Sequence, residues 1–198
     1  QDIVTDGTGQ AFPIDYEYNL DRDLIRAGDF RLTYNPNRLV AQTTIGTGAN
    51  LITDSYSYNA FGEITQYVVK RGTAILYQLN LTRDSLGRIT QKKQVMREQT
   101  VTWGYTYDAS GRLIRVNKNG VAQSVYGYNA NSNRISGNIG AQTTNATYDN
   151  QDRLLTYNAF SFSYKPNGQL TQRKNNTTNV VNNFNYDSFG NLKSYTQG

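Results

Sequence analysis

The chain of 198 residues holds twenty Lys and Arg, fifteen Asp and Glu, and neither histidine nor cysteine. That inventory decides most of the available chemistry. A hydroxyl nucleophile needs a base to take its proton, and without imidazole only a Ser and Lys pair is left, which nothing in the spacing marks. Glycoside hydrolysis needs two carboxylates roughly 5 to 10 Å apart, and the only glutamates are Glu17, Glu63 and Glu98. Asp21 with Asp23, and Asp149 with Asn150 and Asp152, offer oxygen ligands of the kind Ca²⁺ takes, without the full spacing of a known loop. Asp6-Gly7-Thr8-Gly9 holds aspartic-protease loop residues in the wrong order and in a single copy, and reads as a flexible entry to the first strand. Gly46-Thr47-Gly48 has no following helix or lysine to cradle a phosphate. The expectation is no enzyme, no cofactor and no bound metal.

The aspartates instead hold one place in a recurring phrase, clearest in Tyr107-Asp108-Ala109-Ser110-Gly111-Arg112-Leu113. Related copies begin at Tyr58 (with Gly62 and Ile64), Arg83 (Asp84, Gly87, Arg88, Ile89), Tyr148 (Asp149, Arg153, Leu154), Tyr164 (Gly168, Leu170) and Tyr186 (Asp187, Gly190, Leu192). Looser copies begin at Tyr18, at Tyr34 (one residue short) and at Tyr128 (one residue long), giving nine units spaced 16 to 25 residues apart. Such a period means one supersecondary unit repeated, with each unit burying its apolar face against its neighbours.

The phrase must be positioned by a tight turn. Asp108 can fold its carboxylate onto following N–H groups, and Gly111 supplies the residue with positive φ. Where Gly is missing, Asp152 and the run Asn131-Ser132-Asn133 tolerate the left-handed region. Arg22 does not, so the first turn is expected to differ. Pro36 and Pro166 suit the second position of a type I turn. A Leu or Ile follows each turn: Leu24, Leu39, Ile64, Ile89, Leu113, Ile135, Leu154, Leu170 and Leu192, each expected to pack back on its own hairpin. Looser second turns are expected at 117–120, 46–48, 71–72 and 175–177.

Before each phrase the side chains alternate with period two, as in Val101, Trp103, Tyr105 and Tyr107, or Tyr77, Leu79 and Leu81, which is the pattern of a half-buried strand. One face should be aromatic and the other largely polar. Sixteen tyrosines bring a hydroxyl with their apolar surface, and that hydroxyl must reach water or a partner. The mean hydropathy of −0.67 is low, yet richness in Tyr, Thr, Val and Ile argues against disorder. The predicted fold is all-β: one array over 1–198, up to 18 antiparallel strands in a long curled or spiralling meander that can close as a barrel-like shell.

The net charge of +5 sits in separated clusters, Lys70-Arg71, Lys92-Lys93 with Arg97, and Arg173-Lys174, which read as solvated hairpin faces rather than a nucleic-acid groove. Lysines on edge strands also discourage unwanted pairing. No stretch approaches the roughly 20 apolar residues of a membrane span. The start at Gln1-Asp2-Ile3 resembles neither a signal peptide nor an initiation site, so the chain reads as part of a longer one. Unpaired end strands of such a piece are expected to pair with another copy. The sequons at Asn80, Asn145 and Asn175 matter only in a glycosylating host.

The phrase at this period resembles the YD repeat of the RHS/YD-repeat family, over about 16–195. The resemblance implies a segment of a secreted or cell-surface protein, most often bacterial, whose repeats form a hollow β-shell beside other domains of the parent chain and around a toxin domain. The DPxGL-like phrase of the family's self-cleaving segment does not occur, so no autoprotease and no cargo domain carry over. The competing expectation is an adhesion module that binds carbohydrate or a surface protein through exposed rings and amides, with Trp103 and Tyr105 as the ligand surface.

Overall fold

A computed structural model describes residues 2–5 and 11–198. Residues 6–9, the proposed flexible entry, lie outside the described residues. The alternating segments become strands: β1 (Asp2–Thr5), β2 (Ala11–Ile14), β3 (Tyr16–Tyr18), β4 (Leu24–Ala27), β5 (Phe30–Tyr34), β6 (Val40–Ile45), β7 (Ile52–Tyr58), β8 (Ile64–Arg71), β9 (Ala74–Arg83) and β10 (Ile89–Met96). They continue as β11 (Gln99–Tyr107), β12 (Leu113–Lys118), β13 (Val121–Tyr128), β14 (Arg134–Ile139), β15 (Gln142–Tyr148), β16 (Leu154–Tyr157), β17 (Phe160–Tyr164), β18 (Leu170–Asn175), β19 (Val181–Tyr186) and β20 (Leu192–Gln197). The only helical piece among the described residues is a 3-10 turn, Gly48–Asn50.

The protein is therefore all-β, as expected, and strands β3 to β20 make up the predicted eighteen. Strands β1 and β2 form a separate two-stranded hairpin. A break at Asp15 divides the run Ile14, Tyr16 and Tyr18, which the alternation reads as one strand, between β2 and β3. The chain forms two compact units, 1–104 with 118–120, and 105–117 with 121–198. In the first, β3 to β10 pair antiparallel with their sequence neighbours, and β10 pairs with β11. In the second, β13 to β20 do the same.

Each phrase closes one hairpin, and the strand after it carries one extra residue. Tyr58 pairs with Ile64 while Ser57 pairs with Gln66, which leaves Thr65 unopposed. The same slip follows the turns after Tyr18, Tyr34, Arg83, Tyr128, Tyr148, Tyr164 and Tyr186. An unopposed residue of this kind bends its strand and adds right-handed twist. One bulge per hairpin thus gives each meander a repeated local bend, a concrete source for the expected curl.

Register corrects two assignments. Tyr34 pairs with Val40 rather than Leu39, and Tyr128 pairs with Arg134 rather than Ile135. Leu39 is the last turn residue, and Ile135 is the bulge. Neither copy is shorter or longer than seven residues, since the ladder counts backbone pairs and not Leu or Ile side chains.

The connections at the opposite ends use 46–51, 72–73, 119–120 and 176–180, near the expected places. Others at Gly28, Arg97-Glu98, Gly140 and Asn158 complete them, with Arg97 and Glu98 both at positive φ, 49° and 67°.

A meander of this kind buries little. Among the described residues, Val68 and Ala146 are the buried hydrophobic ones, and Ser124 and Asn182 the buried polar ones. Stabilisation comes instead from cross-strand pairs. Tyr56 and Tyr67 stand 4.9 Å apart between ring centroids and Tyr67 and Tyr77 6.0 Å in the first unit; Phe184 and Tyr195 are 5.5 Å apart in the second. The residues alternating with Tyr56, Tyr67 and Leu79 include Ser55, Ser57, Gln66, Gln78 and Asn80. That is the aromatic and polar division expected, interrupted by Val68.

Candidate functional site

The nine turns 19–23, 35–39, 59–63, 84–88, 108–112, 129–133, 149–153, 165–169 and 187–191 share one geometry. In each, the first residue donates its N–H to the carbonyl of the fifth, and its carbonyl accepts the N–H of the fourth, as for Asp108 with Arg112 (3.0 Å) and Gly111 with Asp108 (3.0 Å). The fourth residue has positive φ in every case, Gly at 62, 87, 111, 168 and 190, Arg at 22 and 38, Ser132, and Asp152. This is a type I turn closed by a left-handed residue, a standard three-residue hairpin loop. The expectation that Arg22 would change the first turn is thus corrected. Arg22 adopts φ of 65° and makes the same two bonds, because a left-handed non-glycine residue costs only about 1 to 2 kcal/mol and the neighbouring ladders hold the loop.

In eight of the nine turns the first residue is Asp or Asn and caps the turn from the side; in the turn that opens at Lys165, Asn167 Oδ1 accepts the Gln169 N–H instead. Asp108 Oδ1 accepts the N–H groups of Ser110 and Arg112 at 3.0 and 2.9 Å, and Asp84, Asp149 and Asp187 repeat the arrangement. The second oxygen takes the fifth residue's side chain: Arg112 Nε at 2.7 Å, Arg88 Nε at 2.7 Å, Arg153 Nε at 2.6 Å. Where the first residue is Asn and the fifth an acid the polarity is exchanged, and Asn59 Nδ2 donates to Glu63 Oε2 at 2.7 Å, as Asn19 Nδ2 does to Asp23 at 3.2 Å. The N–H of Arg112 and its side chain hold the Asp108 carboxyl below the usual carboxylate range against the opposing effect of burial, and Asp149 is lowered in the same way by Arg153. For Asp84, burial pushes upward but the bonds from Arg88 outweigh it. Asn191 lowers Asp187, and Arg38 lowers Asp23.

In five phrases the opening tyrosine reaches the preceding repeat. Its hydroxyl donates to a carbonyl of the strand that follows the previous turn: Tyr34 to Leu24 (2.8 Å), Tyr58 to Val40 (2.7 Å), Tyr128 to Leu113 (2.9 Å), Tyr148 to Arg134 (3.2 Å) and Tyr164 to Leu154 (2.9 Å). Where Arg83 replaces tyrosine, its Nη1 donates to Ile64 at 2.7 Å. The phrase arginine then covers the next ring, with Arg112 over Tyr128 at 4.9 Å and Arg153 over Tyr164 at 5.3 Å. Burial pushes up the phenols of Tyr58, Tyr105 and Tyr164, and that of Tyr67 to about 12. A raised phenol stays protonated and keeps its capacity to donate.

Two further features concern surfaces. Large apolar side chains stand exposed at the turn tips, namely Leu20, Phe61, Leu86 and Phe189, and between Phe61 and Leu86 lies an open cleft of about 730 Å³. Its charged groups satisfy one another: Glu63 lies 3.4 Å from Arg83 and accepts from Asn59. Trp103 and Tyr105, the expected ligand surface, are half-buried. Lys92 and Lys118 stand 5.9 and 5.6 Å from the Trp103 ring centroid. Arg38 donates to the Asp23 carboxylate and to the Asp21 backbone carbonyl, and Asn131 and Asn133 donate to the Asp152 carboxylate. Among the described residues no three carboxylates converge as a metal site. No described helix is long and apolar enough to cross a membrane.

Of the residues named from sequence, the phrase residues come together repeat by repeat, and Trp103 gains two lysines. The bulge, the exchange of donor and acceptor between first and fifth turn residues, and the exposed tips were missed. The exchange was readable, since Asn59 is followed by Glu63 where Asp108 is followed by Arg112.

Taken together, a serial hairpin, one bulge per repeat and a hydroxyl tie to the repeat before define a YD-type β-wall. Over residues 8–198 the chain matches the family model described as the teneurin YD-shell, and it belongs to that family. It is 24% identical over 152 residues to mouse (Mus musculus) teneurin-4, covering 74% of this chain and 5% of that protein. With zebrafish (Danio rerio) teneurin-3 it shares 25% identity over 167 residues, 81% of this chain and 6% of that one. The chain thus spans a small part of the curated relatives it matches. Among solved structures, the Photorhabdus luminescens Tc holotoxin pore shares the fold, with a TM-score of 0.60 at 16% identity over 98% of this chain and 12% of that one.

Proposed function

We propose that this chain is a wall segment of a secreted or cell-surface shell that encloses or presents another domain of its parent protein, a toxin or effector. The observation that supports this most directly is the hydroxyl-to-carbonyl tie between successive repeats, because it fastens hairpin to hairpin along the chain. In this reading the protein is not an enzyme, and its mechanism is enclosure. Its partners are the neighbouring repeats and domains of the parent chain, with pairing of strand edges as the route to a homo-oligomer. Limited proteolysis with intact-mass analysis on the full-length parent tests it. A downstream segment protected while the repeats survive supports enclosure; rapid loss of that segment with the repeats intact refutes it.

A second reading, an adhesion module for carbohydrate or a surface protein, is favoured by one observation, the two lysines gathered on Trp103.

A further inference from the structure

Trp103 is the only tryptophan of the chain, and it draws one cation from β10 and one from β12. Lys92 opposes it directly across the β10 and β11 ladder. Lys118 comes from the end of β12, where the turn is fixed to β11 by two bonds. Asn119 N–H donates to the Thr102 carbonyl at 2.7 Å, and Thr102 N–H donates to Asn119 Oδ1 at 2.8 Å. Both ammonium groups lie over the indole, 5.9 and 5.6 Å from its centroid.

Each cation gains from the ring, but two like charges held over one ring repel. No carboxylate offsets them. The ion pairs among the described residues all use arginine: Arg26, Arg38, Arg83, Arg88, Arg112 and Arg153. A ligand anion fits that deficit, since an ammonium makes its strongest hydrogen bonds to carboxylate, sulfate or phosphate. The indole adds an apolar surface that a bare anion does not use.

We propose that Lys92, Trp103 and Lys118 bind an acidic saccharide, with a uronate carboxylate between the two ammonium groups and the C–H edge of the sugar ring against the indole. The lysine stems are flexible and can lift from the ring as the sugar arrives. This deepens the adhesion reading and rests on it. A nucleic acid is less well matched, because Lys93, next along β10, alternates to the other face, so no row of cations leads away from the pair to track a phosphate backbone.

The single tryptophan makes fluorescence the direct assay. Tetragalacturonate is titrated against the full chain beside its neutral methyl ester, sodium sulfate at matched ionic strength, and a short oligothymidylate. The expected result is a saturable change with tetragalacturonate, at least about tenfold weaker with the ester, and lost in K92Q/K118Q. That variant should retain its circular dichroism; if it does not fold, K118Q alone, with affinity reduced and the fold intact, serves. A change reproduced by sulfate, or tighter binding of the oligothymidylate, overturns the proposal. Equal binding of the neutral ester overturns it while leaving the adhesion reading standing. Silence with every saccharide removes the proposal and leaves the adhesion reading only its surface-protein form.

Discussion

Replacing Tyr164 by phenylalanine isolates the tie between repeats. The ring stays, so cross-strand packing and the stacking of Arg153 at 5.3 Å are kept, and only the hydroxyl bond to the Leu154 carbonyl at 2.9 Å is lost. A neutral hydrogen bond contributes about 0.5 to 1.5 kcal/mol net, and a stranded buried acceptor costs about 1 to 3 kcal/mol. Leu154 is half-buried, so water reaches its carbonyl in part. The expected loss is about 1 kcal/mol, which for a chain of this size lowers the melting temperature by about 2 to 4 °C.

Tyr186 supplies the control. It opens the last phrase, is also half-buried and carries Lys165 over its ring at 5.7 Å, and its hydroxyl has no hydrogen bond to the protein among the described residues. Tyr186→Phe should therefore change stability by no more than about 0.5 kcal/mol. Urea unfolding followed by circular dichroism measures both variants. Because Tyr58 and Tyr128 belong to separate repeats, the triple variant Y58F/Y128F/Y164F should lose about the sum of the single losses. Should Y164F and Y186F prove equal, the hydroxyl tie contributes nothing and the account of why tyrosine opens the phrase fails.

Exchanging polarity within one turn gives a second test: Glu63→Arg sets two donors against each other at Asn59, and adding Asn59→Asp restores the pair, with an interaction energy of about 0.5 to 1 kcal/mol in a double-mutant cycle. At Gly62, with φ of 78°, a Cβ would meet Leu39 Cδ1 at 3.4 Å, so Gly62→Ala should cost about 1 kcal/mol by chemical denaturation. The pH dependence follows from the lowered carboxyls of Asp84, Asp108, Asp149 and Asp187. Their stabilisation is complete above the unfolded value near 3.9 and is lost as pH falls through the lower folded values, so thermal melts should be flat above about pH 5 and drop below about pH 4; a flat profile to pH 2 refutes this. At Arg83, Arg83→Tyr should preserve the bond to Ile64 and keep most of the stability, while Arg83→Phe should lose about 1 kcal/mol.

The period, the turn and the strand class were legible because each rests on local chemistry. A positive φ at the fourth turn residue calls for Gly, or for Asp152 and Ser132, and Pro36 and Pro166 fit where a fixed φ is wanted. Register was less legible. Leu39 and Ile135 look like the Leu and Ile that follow other turns, yet the bulge inserts one residue per repeat and shifts what pairs with what. Hydrophobic identity alone does not reveal an unopposed backbone position, since Thr65, Thr90 and Ile135 all occupy it. Arg22 was misjudged for another reason: a modest local strain is outweighed by two ladders already in place. Of the residues proposed to bind a saccharide, only Trp103 was named from sequence as ligand surface; Lys92 reaches it through the ladder register and Lys118 through the β12 turn.

Arg83 shows what the first position of the phrase is for. Eight copies use an aromatic ring there and one uses a guanidinium, yet the atom delivered to the previous repeat is the same, a donor hydrogen on the Ile64 carbonyl. That carbonyl belongs to the residue just before the bulged Thr65, where the ladder is disrupted and an acceptor is left short of a partner. The bulge creates the need and the next repeat's side chain meets it. Where the tie forms, it goes to the residue just before the bulge, as at Leu24, Val40, Ile64, Arg134 and Leu154, so bend and tie work there as one device; the bulge after Leu170 is the exception, with no tie from Tyr186 among the described residues. A wall assembled from this device gains its stability from each neighbour in turn, which is why nine small hairpins with scarcely a buried side chain between them can hold a sheet together.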